Sequence, residues 1–242
     1  MFQAADPNLI ELLERGDITV KGKFLWGSNY TFLVDVIRND QIVKGVYKPT
    51  RGERPLCDFP AASLAHREVA AYLVSEALGW KFVPETVYRR RGPVGAGSLQ
   101  RFIEHDPDNH YFNFDAEERQ RLRPVVLFDL LINNADRKGG HVILDGDGKL
   151  WLIDHGICFH VEDKLRTVIW DFAGEPIPGE LLQALERFLP QLELDAPLAK
   201  VLSAHLSRGE IKALAARTAS LLDECIFPNP DPDRRPYPWP PL

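Results

Sequence analysis

Three cysteines in 242 residues, Cys57, Cys158 and Cys225, are too few and too scattered for a disulfide framework, so the chain is expected in a reducing compartment. A basic excess is missing too: the net charge is −6 and the isoelectric point is near 5.7. That balance excludes a dedicated nucleic-acid binder and a standing attraction to anionic membranes. No apolar run approaches the roughly 20 residues that a membrane-spanning helix needs. The opening residues, Met1-Phe2-Gln3-Ala4-Ala5-Asp6-Pro7, lack the basic and apolar regions of a secretion signal. The expected location is cytoplasmic. No internal repeat is visible. Metal signatures are absent as well. Asp145-Gly146-Asp147-Gly148 opens like a calcium loop, but its twelfth position is Gly156 rather than Glu, so a hairpin turn is expected. His155, Cys158 and His160 do not have zinc spacing.

What is present is an ordinary globular balance, 45% hydrophobic and 26% charged, over a length that suits one large domain or two lobes around a cleft. Residues 7–15 predict a short amphipathic helix before Gly16. Residues 17–48 are rich in β-branched residues and broken by Gly27-Ser28-Asn29 and Arg38-Asn39-Asp40-Gln41, which predicts a three-strand meander. Residues 61–78 carry apolar side chains at helical spacing and stop at Gly79. Residues 83–89 and 98–104 predict two more strands, with Arg89-Arg90-Arg91 as a solvated hairpin tip. After Asp106-Pro107-Asp108-Asn109 the chain is expected to become helical. Residues 116–133 predict a helix that Pro124 kinks or restarts, with a buried apolar second half. Residues 141–153 predict a β-hairpin, and residues 179–189, 195–206 and 209–225 predict closing helices. From Phe227 the chain is Pro-rich and expected to be extended.

The chemistry concentrates at two acids. Asp136 follows the buried apolar helix in Asn133-Asn134-Ala135-Asp136-Arg137-Lys138-Gly139-Gly140-His141. Asp154 ends the apolar strand Leu150-Trp151-Leu152-Ile153. An acid after a helix and an acid closing a hairpin suit phosphoryl transfer from ATP, one orienting a hydroxyl and the other holding the metal. Their bland alternatives are a capped loop and an N-cap. Lys138 can neutralise a migrating phosphoryl group, and the neutral imidazole of His141 can serve as a metal ligand. Gly27-Ser28-Asn29 offers a turn that can bring backbone amides to phosphates, although taken alone a plain hairpin turn is the better explanation. Lys48 can reach phosphates from the sheet and Glu68 can hold it there, with Glu76 as a competitor. A solvated lysine and a surface glutamate are the plain readings.

This ordered set resembles the protein-kinase-like superfamily. It looks most like the phosphatidylinositol 3-/4-kinase branch, especially compact type II phosphatidylinositol 4-kinases and their bacterial relatives, including HipA-type kinases. Tyr47-Lys48-Pro49 is similar to the branch's nucleotide lysine motif. Ser98-Leu99-Gln100-Arg101-Phe102-Ile103-Glu104 resembles its fifth strand and adenine hinge. Asn134-Ala135-Asp136-Arg137 resembles its catalytic loop, and Ile153-Asp154-His155-Gly156 its metal turn. The likeness runs over residues 17–175.

The resemblance implies an α+β, bilobal protein-kinase-like fold: an antiparallel-sheet N-lobe with one helix (1–104), a mostly helical C-lobe (105–226) and a Pro-rich tail (227–242). It also implies ATP and Mg²⁺ or Mn²⁺ as cofactors. Asp136 and Lys138 would act in catalysis. Gly27, Ser28, Asn29, Lys48, Glu68, Gln100, Phe102 and Ile103 would bind nucleotide, and His141 and Asp154 would bind metal. The expected activity is transfer of a γ-phosphoryl group to a hydroxyl acceptor, whether lipid, protein or small molecule. His141 stands where the branch usually has Asn, which keeps a non-catalytic ATP-binding pseudokinase as an alternative. An interaction module using the Pro-rich tail is a third reading.

Overall fold

The computed structural model describes residues 7–24 and 29–242. Helix α1 (Pro7–Arg15) buries Leu12 and Leu13 against the sheet that follows. It stops at Gly16, where a Cβ would lie 2.7 Å from both the Leu12 carbonyl oxygen and Val36 Cγ1. Arg89 Nη1 donates to the carbonyls of Leu13 and Gly16 at 2.8 and 2.9 Å. It thereby satisfies acceptors that a helix end leaves over. Arg89 is therefore a clamp rather than a solvated tip; only Arg90 and Arg91 are exposed.

The β-rich stretch forms the meander β1 (Asp17–Lys23), β2 (Phe32–Arg38) and β3 (Gln41–Pro49). Asn39 and Asp40 turn β2 into β3 with φ of 48° and 62°, the left-handed geometry that matches strand twist in a two-residue hairpin. Alternation places Val34, Val36 and Tyr47 in the core. Helix α2 (Leu64–Ala77) follows, then β4 (Thr86–Arg89) and β5 (Gly97–Arg101). The antiparallel sheet runs β1-β2-β3-β5-β4, so β5 lies beside the strand that carries Lys48. The last two strands are shorter than residues 83–89 and 98–104. The chain leaves the sheet just after Phe102 donates its amide to the Lys44 carbonyl at 3.0 Å.

β6 (His105–His110) is an edge strand that the sequence reading did not assign. It pairs with β7 only at His105↔Asp145 and His110↔Ile143, with an irregularity between them. An irregular edge tolerates Pro107, which has no amide to donate. The expected helix over 116–133 is two helices, α3 (Ala116–Gln120) and α4 (Arg123–Ile132). Asp115 and Glu118 form a capping box on α3. Pro124 restarts the chain in the first turn of α4, where its missing amide is harmless. β7 (Val142–Asp145) and β8 (Leu150–Leu152) complete a second sheet, β6-β7-β8. Asp145 closes their turn by accepting from the amides of Asp147 and Lys149. Helices α5 (Gly179–Phe188), α6 (Pro197–Leu202) and α7 (Arg208–Glu224) finish the fold.

Two cores result. The smaller joins α1 to the five-stranded sheet through Leu12, Leu13, Val34, Val36, Tyr47, Val87 and Leu99. The larger gathers α4, the second sheet and α5–α7, and it also takes in Ala70, Ala71 and Val74 of α2. The molecule is α+β and two-lobed, with α2 anchored to the helical lobe. The tail folds back onto the body: Phe227 is buried, Thr167 N donates to Pro236 O and Gly139 N to Pro241 O. This packing argues against a free tail acting as a docking module. Among the described residues no helix is long and apolar enough to cross a membrane.

Candidate functional site

Lys48 near the end of β3 has its ammonium between two carboxylates. It donates to Glu68 Oε1 and, at 2.9 Å, to Asp154 Oδ1. Burial alone would lower the Lys48 pKa; Asp154 and Glu68 more than reverse this and raise it above the ordinary lysine range. Glu68 is itself buried on α2, and its other oxygen accepts from the His155 amide at 3.0 Å. One carboxylate thus registers helix α2 against both the strand lysine and the Asp154 turn. Glu76 is not in the site; its charged neighbours are Lys81, Glu85 and Lys149.

Asp154 has φ of 62°, an uncommon backbone state for a residue with a Cβ, and such states cluster at functional sites. Its side chain is half exposed, and Oδ2 lies 3.4 Å from His141 Nε2. Lys48, as the largest cause, holds its pKa well below the usual carboxylate range. His141 Nδ1 sits 3.1 Å from the Asp136 carbonyl. The Lys138 amide also points at Nδ1, at 3.4 Å, so the two contacts call for opposite tautomers: with Nδ1 protonated Nε2 keeps a lone pair, and with Nδ1 accepting Nε2 donates to Asp154. Burial lowers the His141 pKa to about 4, so the ring is neutral at physiological pH.

Asp136 lines the same cavity as Asn29, Lys48, Glu68 and Asp154, a space of about 120 Å³ that also touches Ser98 and Gly156. Burial, only partly offset by Lys138, raises its pKa to about 6. Lys138 Nζ lies 4.0 Å from Asp136 Oδ2. The larger hollow of the molecule, about 840 Å³, lies under the tail and contains none of these groups.

The structure therefore brings together Asn29, Lys48, Glu68, Asp136 and Asp154, with Lys138 and His141 alongside. Gly27 and Ser28 lie outside the described residues. Gln100, Phe102 and Ile103 do not line the cavity. The Gln100 amide is spent on Thr86 Oγ1 at 2.9 Å, and Ile103 packs with Ile143 and Trp151.

What sequence reasoning missed is the buried frame beneath the loop. Arg137 is fully buried and forks onto both oxygens of Asp129 in α4 at 2.9 to 3.2 Å. It also donates to the carbonyls of His141 and Ile153 and contacts His155 Nε2 at 2.9 Å. Asn134 donates to Asp129 and accepts from the Asp136 amide at 3.0 Å. Asn133 ends α4 in the left-handed region, φ 53°. The one available signal was Asp129, a lone acid inside an apolar helix.

Among the described residues, no three carboxylate, imidazole or thiolate groups converge as a self-sufficient metal site. Asp154 and His141 form a pair. The Asp154 carboxylate suits an ion of the magnesium kind, which takes one or two carboxylates and completes its shell with substrate phosphates and water; the imidazole of His141 is a ligand more at home on transition metals.

No protein-family model matches the chain. It is 40% identical to "Protein Rv2133c" of Mycobacterium tuberculosis over 95% of this chain and 94% of that protein. It is 30% identical to "Phosphatidylinositol 4-kinase gamma 4" of Arabidopsis thaliana over 54% of this chain, which spans 28% of the plant protein. Among solved structures, that of the Helicobacter pylori proinflammatory kinase CtkA superposes with a TM-score of 0.55 at 13% identity, covering 89% of this chain and 94% of that one.

Proposed function

The chain belongs to the family of the mycobacterial protein Rv2133c and has a bilobal, protein-kinase-like fold; on that premise we propose that it transfers the γ-phosphoryl group of ATP to a hydroxyl acceptor. The observation that carries this reading is the Glu68–Lys48–Asp154 bridge opening onto the same cavity as Asp136. It places a cation, an acid with a free oxygen and a second, weaker acid around one space.

In this reading Lys48 holds the α- and β-phosphates while Glu68 keeps its ammonium in the cleft. Asp154 and His141 Nε2 would hold Mg²⁺ or Mn²⁺, which when bound offsets phosphate charge. The Lys48–Asp154 contact must part as nucleotide enters, since about 120 Å³ is below the size of a ligand pocket. Adenine would lie against the Phe102–Ile103 main chain beyond β5. Asp136 orients the acceptor hydroxyl and takes its proton, and a pKa of about 6 keeps it mostly ionised yet basic at neutral pH. Lys138, next to Asp136, offsets charge on the transferring group. The rate gain comes from positioning and preorganised charge. In this reading the lobes are 1–104 and 105–226, with the nucleotide cleft at their junction.

The test is incubation of the purified full chain with labelled ATP and Mg²⁺ or Mn²⁺, scoring self-labelling and hydrolysis in the native protein and in Asp154→Ala. Metal-dependent turnover lost in the variant is the expected result. Tight nucleotide binding without turnover on any acceptor would instead select the pseudokinase reading, which His141 motivates.

A further inference from the structure

We infer that the larger hollow binds a small soluble amphiphile with one anionic end, and that Arg217 and Trp170 receive that end. The site is independent of phosphotransfer, since the hollow shares no residue with the cavity around Asp136.

At about 840 Å³ the hollow has the size of a small-molecule site. Leu130, Leu165 and Leu221 give it an apolar wall, and Val161 stands on that wall more than half exposed. Two donors carried by lining residues have no partner among the described residues. Arg217 Nε and Nη1 donate to the carbonyls of Leu131 and His160 at 2.8 and 3.3 Å, but Nη2 is left over. Trp170 Nε1 is left over in the same way. Both nitrogens are closed to solvent, where an unanswered donor costs about 1–3 kcal/mol. Native folds rarely leave such groups without a reason, and a bound ion is one of the reasons. The anionic end of a ligand, admitted by a small turn of either side chain, supplies the acceptors.

The charge around the hollow selects an anion. Every carboxylate in its wall is already engaged: Glu162 by Lys164 at 3.4 Å, Asp163 and Asp231 by Arg234 at 3.1 and 3.2 Å, and Glu224 by Ser220 Oγ at 2.6 Å. Arg166, Arg217 and Arg235 line it too, and none of the three has an ion-pair partner among the described residues. Burial lowers the Arg217 pKa to about 10 and Asp163 only partly offsets this, so the buried cation is short of a counter-ion. A guanidinium fork matches carboxylate and phosphate oxygens alike. The leucines then take the apolar body of the ligand. The ligand comes from solution, because a chain of net charge −6 has no standing attraction to an anionic bilayer.

The experiment is a calorimetric titration of the full chain with octyl phosphate below its micelle concentration, with octanol and inorganic phosphate as half-ligands. Octyl phosphate should bind about tenfold more tightly than either half, since both ends are needed. Ala216→Trp, which fills the hollow from α7, should weaken binding about tenfold. Trp170→Phe keeps an aromatic ring and removes the N–H. It should weaken binding about fivefold yet raise the ligand-free melting temperature by about 2–4 °C, because an unanswered donor is gone. Arg166→Gln with Arg235→Gln should weaken binding about threefold, the scale of exposed charges. Absence of octyl phosphate binding overturns the site, as does equal binding of octanol. Binding that Ala216→Trp and Trp170→Phe both leave unchanged overturns it too. Capture of the chain by phosphatidylcholine vesicles containing dodecyl phosphate, without binding of free octyl phosphate, would mark a membrane-facing patch instead of this hollow.

Discussion

Asp136 works against the stability of the fold that holds it. Its pKa of about 6 lies above the ordinary aspartate value because burial disfavours the charge. The folded state therefore favours the protonated form. That contribution is complete below about pH 4 and is lost as pH rises through 6. Asp136→Asn should lower turnover by about 10²–10⁴-fold, the scale of a positioned proton acceptor. At pH 7.5 it should also raise stability by up to about 3 kcal/mol. Denaturant melts of both proteins at pH 4 and 7.5 check this: the gap should be wide at the higher pH and close at the lower. In the native protein, kcat/KM should fall as pH drops through about 6; a profile flat down to pH 5 would take the proton-acceptor role from Asp136. Residues of this kind were legible in sequence because polar groups crowding the exit of an apolar helix need a reason. Gln100 was not, because its choice of Thr86 depends on the neighbouring strand.

At the scale of elements, the loop that carries Asp136 is held from below. Arg137 and Asp129 are both buried, and Arg137 links α4, the loop and the Asp154 turn. Breaking one side of a buried pair leaves an uncompensated charge, which typically costs about 3–5 kcal/mol. Arg137→Ala should therefore cost that much in chemical denaturation. Arg137→Lys, keeping charge but losing the fork, should lower activity more than stability. If both variants melt like the native protein, the frame is not structural. The alternating strands and amphipathic helices were readable from periodicity, as was the restart at Pro124. Strand β6 was not, because its pairing is with β7, remote in sequence.

At the scale of the whole molecule, α2 is the joint between the lobes. Arg67, almost fully buried, reaches from α2 to Glu210 of α7 and to the Cys158 carbonyl. Arg67→Ala should destabilise the protein by about 3–5 kcal/mol and weaken nucleotide affinity along with it, because Glu68 loses its footing next to Lys48; a calorimetric ATP titration and a thermal melt check the two together. The two-lobed plan was legible only through the family resemblance that Lys48, Glu68, Asp136 and Asp154 carry in that order. The bolt was not, since nothing in the spacing of Arg67 and Glu210 announces that they meet.

Because that joint is riveted to the helical lobe, the lysine–glutamate couple stands assembled before any signal arrives. Under the proposed phosphotransfer reading, a helix fixed in this way does not swing out to idle the site. Control, where the cell exerts it, must then fall on what is admitted to the active centre rather than on whether the active centre exists.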